Sequence, residues 1–397
     1  GGGIARFDLG NGSAVINGTI LANATSQAGA VTFGSAGGSI YLNAGAVSGT
    51  GYLSAVGGYG SHNAGSGGRI AVYYNSVAGN FTFPTNFLAN VRAWGATAWS
   101  SGQKSGAGTI YAKDKAATYG DLIINNNGIE GCNSGTAYRC GASIVTPARS
   151  SITANLAGTT AEYSAASIFQ DQGITSDNVV GLYLVPNISE NATTSQFVDN
   201  SRFKIASLAT ALITTATSGV SGVSGLGSVS AFVPVVRNLQ MSGNGSLYLD
   251  ENIIVTEGDI ASGDTTTFAA DGITNGTGVI ELVSGTSVSA SATTLNSNYT
   301  LGVAVDAGGY SGISFGTNGR LSFTSAATVN GNITGTGTGN FVTTAPLTVN
   351  GNVNLSGSSY IRAGTTNYNP NLIVSGDINL TGTSTLTPPV STAGTSY

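Results

Sequence analysis

The 397-residue chain carries 60 glycines, 13 Lys plus Arg against 18 Asp plus Glu, and a formal charge of −5. With charged residues at only 8% and no Lys/Arg cluster able to track a phosphate backbone, nucleic acid is excluded as the expected partner. No apolar run reaches the roughly 18 residues of a membrane-spanning helix, and the Ile, Val, Leu, Phe and Tyr threaded between the glycines set the composition apart from a disordered one.

The chain opens GGGIARFDLG, without Met, as expected of a processed terminus or of a piece of a longer protein. Helix signals are nearly absent, because no long stretch places apolar residues at i, i+3, i+4 and i+7. Over residues 1–141 paired small residues stand just before an apolar strand four times: GGGI at Gly1, GGSIYL at Gly37, GGRIAVYY at Gly67 and GAGTIYAK at Gly106. In GGRIAVYY, Ile70, Val72 and Tyr74 are expected on one face and Arg69, Ala71 and Tyr73 on the other. Ile40 to Ile70 spans 30 residues and Ile70 to Ile110 spans 40, intervals long enough for loops to project between strands. FPTNFLANVRAWGATAWSSGQKSG would be one such loop. It holds the only two tryptophans, Trp94 and Trp99, with Arg92 and Lys104 beside them. Exposed rings of this kind would stack on sugars; the competing account is that one or both cap the apolar end of a coil.

The single histidine, His62, sits in GYGSHNAGSGG and reads as a turn residue, since such a loop would not orient a catalytic base. Cys132 and Cys140, in GCNSGTAYRC, are expected to form a disulfide across a small loop, with two free thiols as the alternative. A zinc site is excluded because His62 is the only other soft ligand and four are normally required. From 142 to 237 the glycine-paired pattern fades into consecutive strands without a period, read as a small β-rich module inserted in, or packed on, the rest.

Residues 238–397 are the most regular. ATVNGNITGTGTGNF, LTVNGNVNLSGSSYI and LIVSGDINLTGTSTL superpose with Val329, Val349 and Val374 aligned, 20 and 25 residues apart. Self-similarity at this period means a solenoid, a propeller or an array. Propeller blades need about 40 residues, and the marked Leu ladder of leucine-rich repeats is missing, so the expected fold is all-β: a parallel β-helix whose corners use Gly and Asn at NGN, SGD and TGT for positive φ. Six of the acids fall between Asp250 and Asp271. Asp250, Asp259, Asp264 and Asp271 would be candidate Ca²⁺ ligands if stacked one coil apart, although scattered acids on a solvated face are the ordinary explanation. No other cofactor is expected.

GGSIYLNAGAVSGTGYLSAVGGYGSHNAGSGGRIAVYY and GAGTIYAKDKAATYGDLIINNNG resemble the Gly-rich β-helical regions of very large bacterial surface proteins. These include adhesins similar to filamentous haemagglutinin, autotransporter passengers, and giant surface proteins of environmental and predatory bacteria. GLYLVPNISENATTSQFVDNSRFKIAS resembles a module that recurs in the same proteins. The resemblance implies an exported, adhesin-like or fibre-forming protein and transfers no functional residue. The expected function is non-enzymatic attachment at a bacterial cell surface, with a surface glycan or protein as partner. The alternatives are a self-assembling filament, sheath or matrix subunit whose partner is itself, and a β-helical carbohydrate-active enzyme, for which clustered acids near an Arg would be needed.

Overall fold

The computed structural model describes residues 1–26, 33–83, 85–98, 105–129, 229–243, 327–343, 346–363 and 372–387, together with short strand segments between 142 and 323. Among the described residues strands predominate, helix is almost absent, and most pairings are parallel. The first elements are β1 (Ile4–Asp8), β2 (Ser13–Val15), β3 (Thr19–Leu21), β4 (Ser39–Asn43), β5 (Ala46–Ser48) and β6 (Tyr52–Ser54). There follow β7 (Arg69–Tyr74), β8 (Ser76–Val77), a 3-10 turn (Gly79–Phe81), α1 (Thr85–Asn90), β9 (Val91–Arg92), β10 (Thr109–Asp114) and β11 (Asp121–Asn125).

These strands rise in tiers, each tier giving one strand to each of three sheets: β1-β4-β7-β10, β2-β5-β8 and β3-β6-β9. Every pairing within those sets is parallel. Ile40, Ile70 and Ile110 stand directly in register, so the intervals of 30 and 40 residues are the lengths of successive tiers. Alternation along β7 buries Ile70, Val72 and Tyr74 and turns Arg69, Ala71 and Tyr73 outward. Ile40 and Leu42 from the tier before and Ile110 and Ala112 from the tier after complete the same inner columns. Burying stacked aliphatic side chains, at about 0.8 kcal/mol per methylene, is the main stabilising contribution in a chain so poor in charge.

The paired glycines are there for close approach rather than for unusual dihedrals. A Cβ on Gly68 would land on the carbonyl oxygen of Gly38, and one on Gly108 on that of Gly68, both far inside 3.0 Å. Neither has a positive φ. The same correction applies at two later corners, where Gly351 and Gly376 also have ordinary φ and are pressed against backbone of the previous tier. Positive φ is found, as expected, at the TGT corners Gly337 and Gly382, and also at Gly357; the three positions stack in successive tiers.

The segment expected to project as a loop after Phe83 is, in its first half, part of the stack. Phe81, Phe87 and Val91 are fully buried in the first core, and the Phe83 and Phe87 rings stack 4.1 Å apart. A helix of six residues is too short to persist on propensity, so α1 is held by this aromatic burial.

At β10 the architecture changes. β11 pairs with β10 antiparallel, while strand Leu239–Ser242 pairs with β11 in parallel. β11 is buried on both faces: Ile123 lies with Ile110 in the first core, whereas Leu122 and Ile124 join Leu239 and Met241 in a second. One sheet is thus the wall between two cores, which explains why DLIIN reads as a continuous apolar run rather than an alternating one. The second core continues through Ile313, Ile333, Phe341, Val353 and Ile361. Here the strands again form three parallel sets, and Val329, Val349 and Val374 pair in register at the spacing seen in the sequence.

Strands between 150 and 233 form a separate six-stranded sheet in which every pairing is antiparallel. Among the described residues no helix is long and apolar enough to cross a membrane.

Candidate functional site

On the third sheet Leu53 and Val91 pair in register and are fully buried, so their neighbours Tyr52 and Arg92 point outward. The Arg92 guanidinium carbon lies 4.4 Å from the centre of the Tyr52 ring and 5.3 Å from that of Trp94. Its Nε donates to the Ala89 carbonyl, 2.9 Å away at the end of α1, which fixes the side chain in the cleft between the rings. No described carboxylate pairs with it.

Trp94 is carried by backbone locked into the stack. Its carbonyl accepts from Gly57 N–H at 3.0 Å, and the Ala96 N–H donates to Gly65 at 3.0 Å. Between them Gly95 N–H donates to Oδ1 of Asn126, a fully buried side chain whose Nδ2 donates to the carbonyls of Ser105 and Ile129. Asn126 therefore ties the tryptophan segment to the turn after β11. The indole Nε1 is buried and makes no hydrogen bond among the described residues.

A second outward array runs along the first sheet. The Arg6 guanidinium sits 4.5 Å over Tyr41, Tyr41 and Tyr73 are 5.5 Å apart, and Tyr73 and Tyr111 are 5.8 Å apart. Arg6 also meets Asp8, which accepts from Asn43 of the next tier. The array ends where Tyr111 packs under the second core and its hydroxyl oxygen accepts from Gly120 N–H at 3.0 Å. Burial raises the Tyr111 phenol above its ordinary range, against the Gly120 hydrogen bond, and nearby Asp121 raises it further. Burial likewise raises Tyr74, with Asp121 again adding to the effect.

Of the residues singled out in the sequence, Trp94 is brought together with Arg92. Trp99, Cys132, Cys140, Asp250, Asp259, Asp264 and Asp271 lie outside the described residues. His62 is exposed, its ring 6.4 Å from that of Phe33, beside the bridge between Phe33 and Asn63. Sequence reasoning missed Tyr52 and the Arg6-tyrosine array. The signal was available in the alternation, because aromatics at outward positions of successive tiers must stack once the tier lengths are known. No family model matches the sequence, and no curated protein matches it.

Proposed function

We propose that the two stacks are parts of a parallel β-helix, with the antiparallel sheet as a module between them. We further propose that the chain is a non-enzymatic segment of an extracellular attachment protein at a bacterial surface. The observation that supports this reading is Arg92 held between Tyr52 and Trp94 on a rigid tier. Ring faces stack on the apolar face of a sugar, and the guanidinium N–H groups left over from the Ala89 contact are donors for its hydroxyl or carboxylate oxygens. Such a site gives attachment through stacking and hydrogen bonding rather than turnover.

The test is a glycan array probed with the purified chain and with Trp94→Ala, Arg92→Ala and Trp99→Ala. Trp94→Ala and Arg92→Ala are expected to lose about tenfold or more in binding, the worth of roughly 1.4 kcal/mol of stacking and hydrogen bonding. Unchanged binding by both would remove this site from the proposal, and absence of any glycan signal from the wild type would overturn glycan attachment itself.

A further inference from the structure

We infer that the ligand of the Arg92 site is an acidic saccharide, whose ring stacks on the site's aromatics and whose carboxylate is taken by the Arg92 guanidinium. The inference rests on the glycan reading above and narrows it to one class of sugar. Arginine carries N–H donors in a fixed fork and no acceptor. The donor on Nε of Arg92 is used on the Ala89 carbonyl, and those of the two terminal nitrogens have no hydrogen-bond partner among the described residues. The group is not loose: its carbon lies 4.4 Å from the Tyr52 ring centre and 5.3 Å from that of Trp94, and the residue is half-buried. A cation held by rings and a carbonyl has already lost most of the rotamer freedom of an ordinary surface arginine. Pairing it with an anion therefore costs little further ordering.

A neutral sugar hydroxyl both donates and accepts, and a site built for it supplies both kinds of group. This one supplies charged donors and no described carboxylate. The sequence shows why. Between Asp8 and Asp114 there is no Asp or Glu at all, whereas Arg69, Arg92, Lys104 and Lys113 fall in that interval. The side chains of residues 1–120 set Arg6, Arg69, Arg92, Lys104, Lys113 and Lys115 against Asp8 and Asp114, a net +4 on a chain whose total is −5, which leaves −9 for residues 121–397. The carboxylates at the two borders of the acid-free interval are engaged elsewhere: Asp8 by Arg6 and Asn43, and Asp114 by the Ala116 N–H. The acceptor that Arg92 lacks has to come from the ligand.

The indole does not share the polar work. Nε1 of Trp94 is buried, so this ring meets a ligand by its carbon surface alone. Charged recognition falls on Arg92, whose planar fork matches a carboxylate with two parallel hydrogen bonds, each stronger than one between neutral groups. The excess of positive charge over the first stack steers an anion to this part of an otherwise acidic chain. Two aromatic rings beside the cation ask for an apolar face next to the charge. The pyranose of a uronic acid presents both, whereas the short side chain of an acidic peptide presents little but the charge.

Titration calorimetry of the whole chain with oligomers of galacturonate, glucuronate and mannuronate, each beside its methyl ester, tests this, because the ester keeps the ring and removes the charge. At least one acid is expected to bind about tenfold or more tighter than its ester and to weaken as salt is added. Arg92→Gln should abolish that advantage, and Arg92→Lys, which keeps the charge without the fork, should restore only part of it. The comparison of acid with ester is made on the wild type, so it stands whether or not a variant folds. An ester bound as tightly as its acid, or an acid preference that survives in Arg92→Gln, overturns the inference. So does a chain that binds neutral sugars of the array and none of the acids, a result that leaves the glycan reading in place. Failure of every sugar, acidic or neutral, removes both. Poly-glutamate reports on charge alone: binding as tight as the best uronate, with the same dependence on Arg92, would make the partner an acidic protein and overturn the saccharide.

Discussion

Arg237 grips Asp121 with two parallel hydrogen bonds, 2.8 Å from Nε to Oδ1 and 2.5 Å from Nη2 to Oδ2, across 116 residues of chain. Asn238 adds a third donor to Oδ1 at 2.9 Å, and the Asp121 side chain is only 10% exposed. The pair closes the strand that re-enters after the antiparallel module onto the shared sheet, with Arg237 N–H also donating to the Gly120 carbonyl. Removing one partner leaves the other charge poorly solvated. Arg237→Met is therefore expected to cost about 3–5 kcal/mol, and the double variant Arg237→Met/Asp121→Leu to recover most of it. Chemical denaturation of the three proteins checks this, and equal losses in single and double variants would contradict it.

The Gly68–Gly108 contact gives a sharper steric prediction. A methyl group on Gly108 would overlap both carbonyl and backbone carbon of the tier below, and backbone paired on both sides has little room to yield. Gly108→Ala is expected to destabilise by at least about 1–3 kcal/mol, the usual cost of overpacking. Gly3→Ala, with open space around it, should be neutral in the isolated chain, so thermal melts of the two variants run side by side decide the matter.

Much of this fold was legible in the sequence because its periods are local. Val329, Val349 and Val374 announced their pairing by spacing alone, and Ile70 with Val72 and Tyr74 announced the inner face by alternation. What was illegible depends on partners remote in sequence. The reversal at β11 is decided by burial of Leu122 and Ile123 on opposite faces against two different cores, which no short window contains. α1 was missed because Phe87 is helical through packing on Phe83, not through propensity. The Arg92 site was half legible: Trp94 was visible as a rare residue, whereas Tyr52, forty residues earlier in the chain, meets Arg92 only because one tier separates them.

Asn126 offers a test of how rigidly that site is held. Its carboxamide serves Gly95, Ser105 and Ile129 from a fully buried position, so Asn126→Ala leaves three backbone groups without their partner. A buried group left unsatisfied costs about 1–3 kcal/mol, and water entering the space left by the side chain should offset part of the total. The expected result is a loss of at least about 2 kcal/mol with faster hydrogen exchange at Gly95 and Ala96. Exchange that stays slow there would show that the tryptophan segment is held by the Gly57 and Gly65 contacts alone.

Tyr74, buried, and Tyr111, half-buried, predict an alkaline limit. Burial, reinforced by Asp121, raises the phenols of Tyr74 and Tyr111 above their ordinary value of 10.0, so the folded state holds these protons more tightly than the unfolded chain does. Their contribution is fully present below the unfolded value and is lost as pH rises from there through the raised folded values. Melting temperature is expected to be flat from about pH 8 and to fall beyond about pH 10, with ultraviolet absorbance showing these phenols ionising only as the structure is lost. Tyr74→Phe keeps the ring that stacks on Phe83 and removes one of the two ionisations, so its alkaline decline should be shallower. A decline as steep as the wild type's would place the cause in other groups.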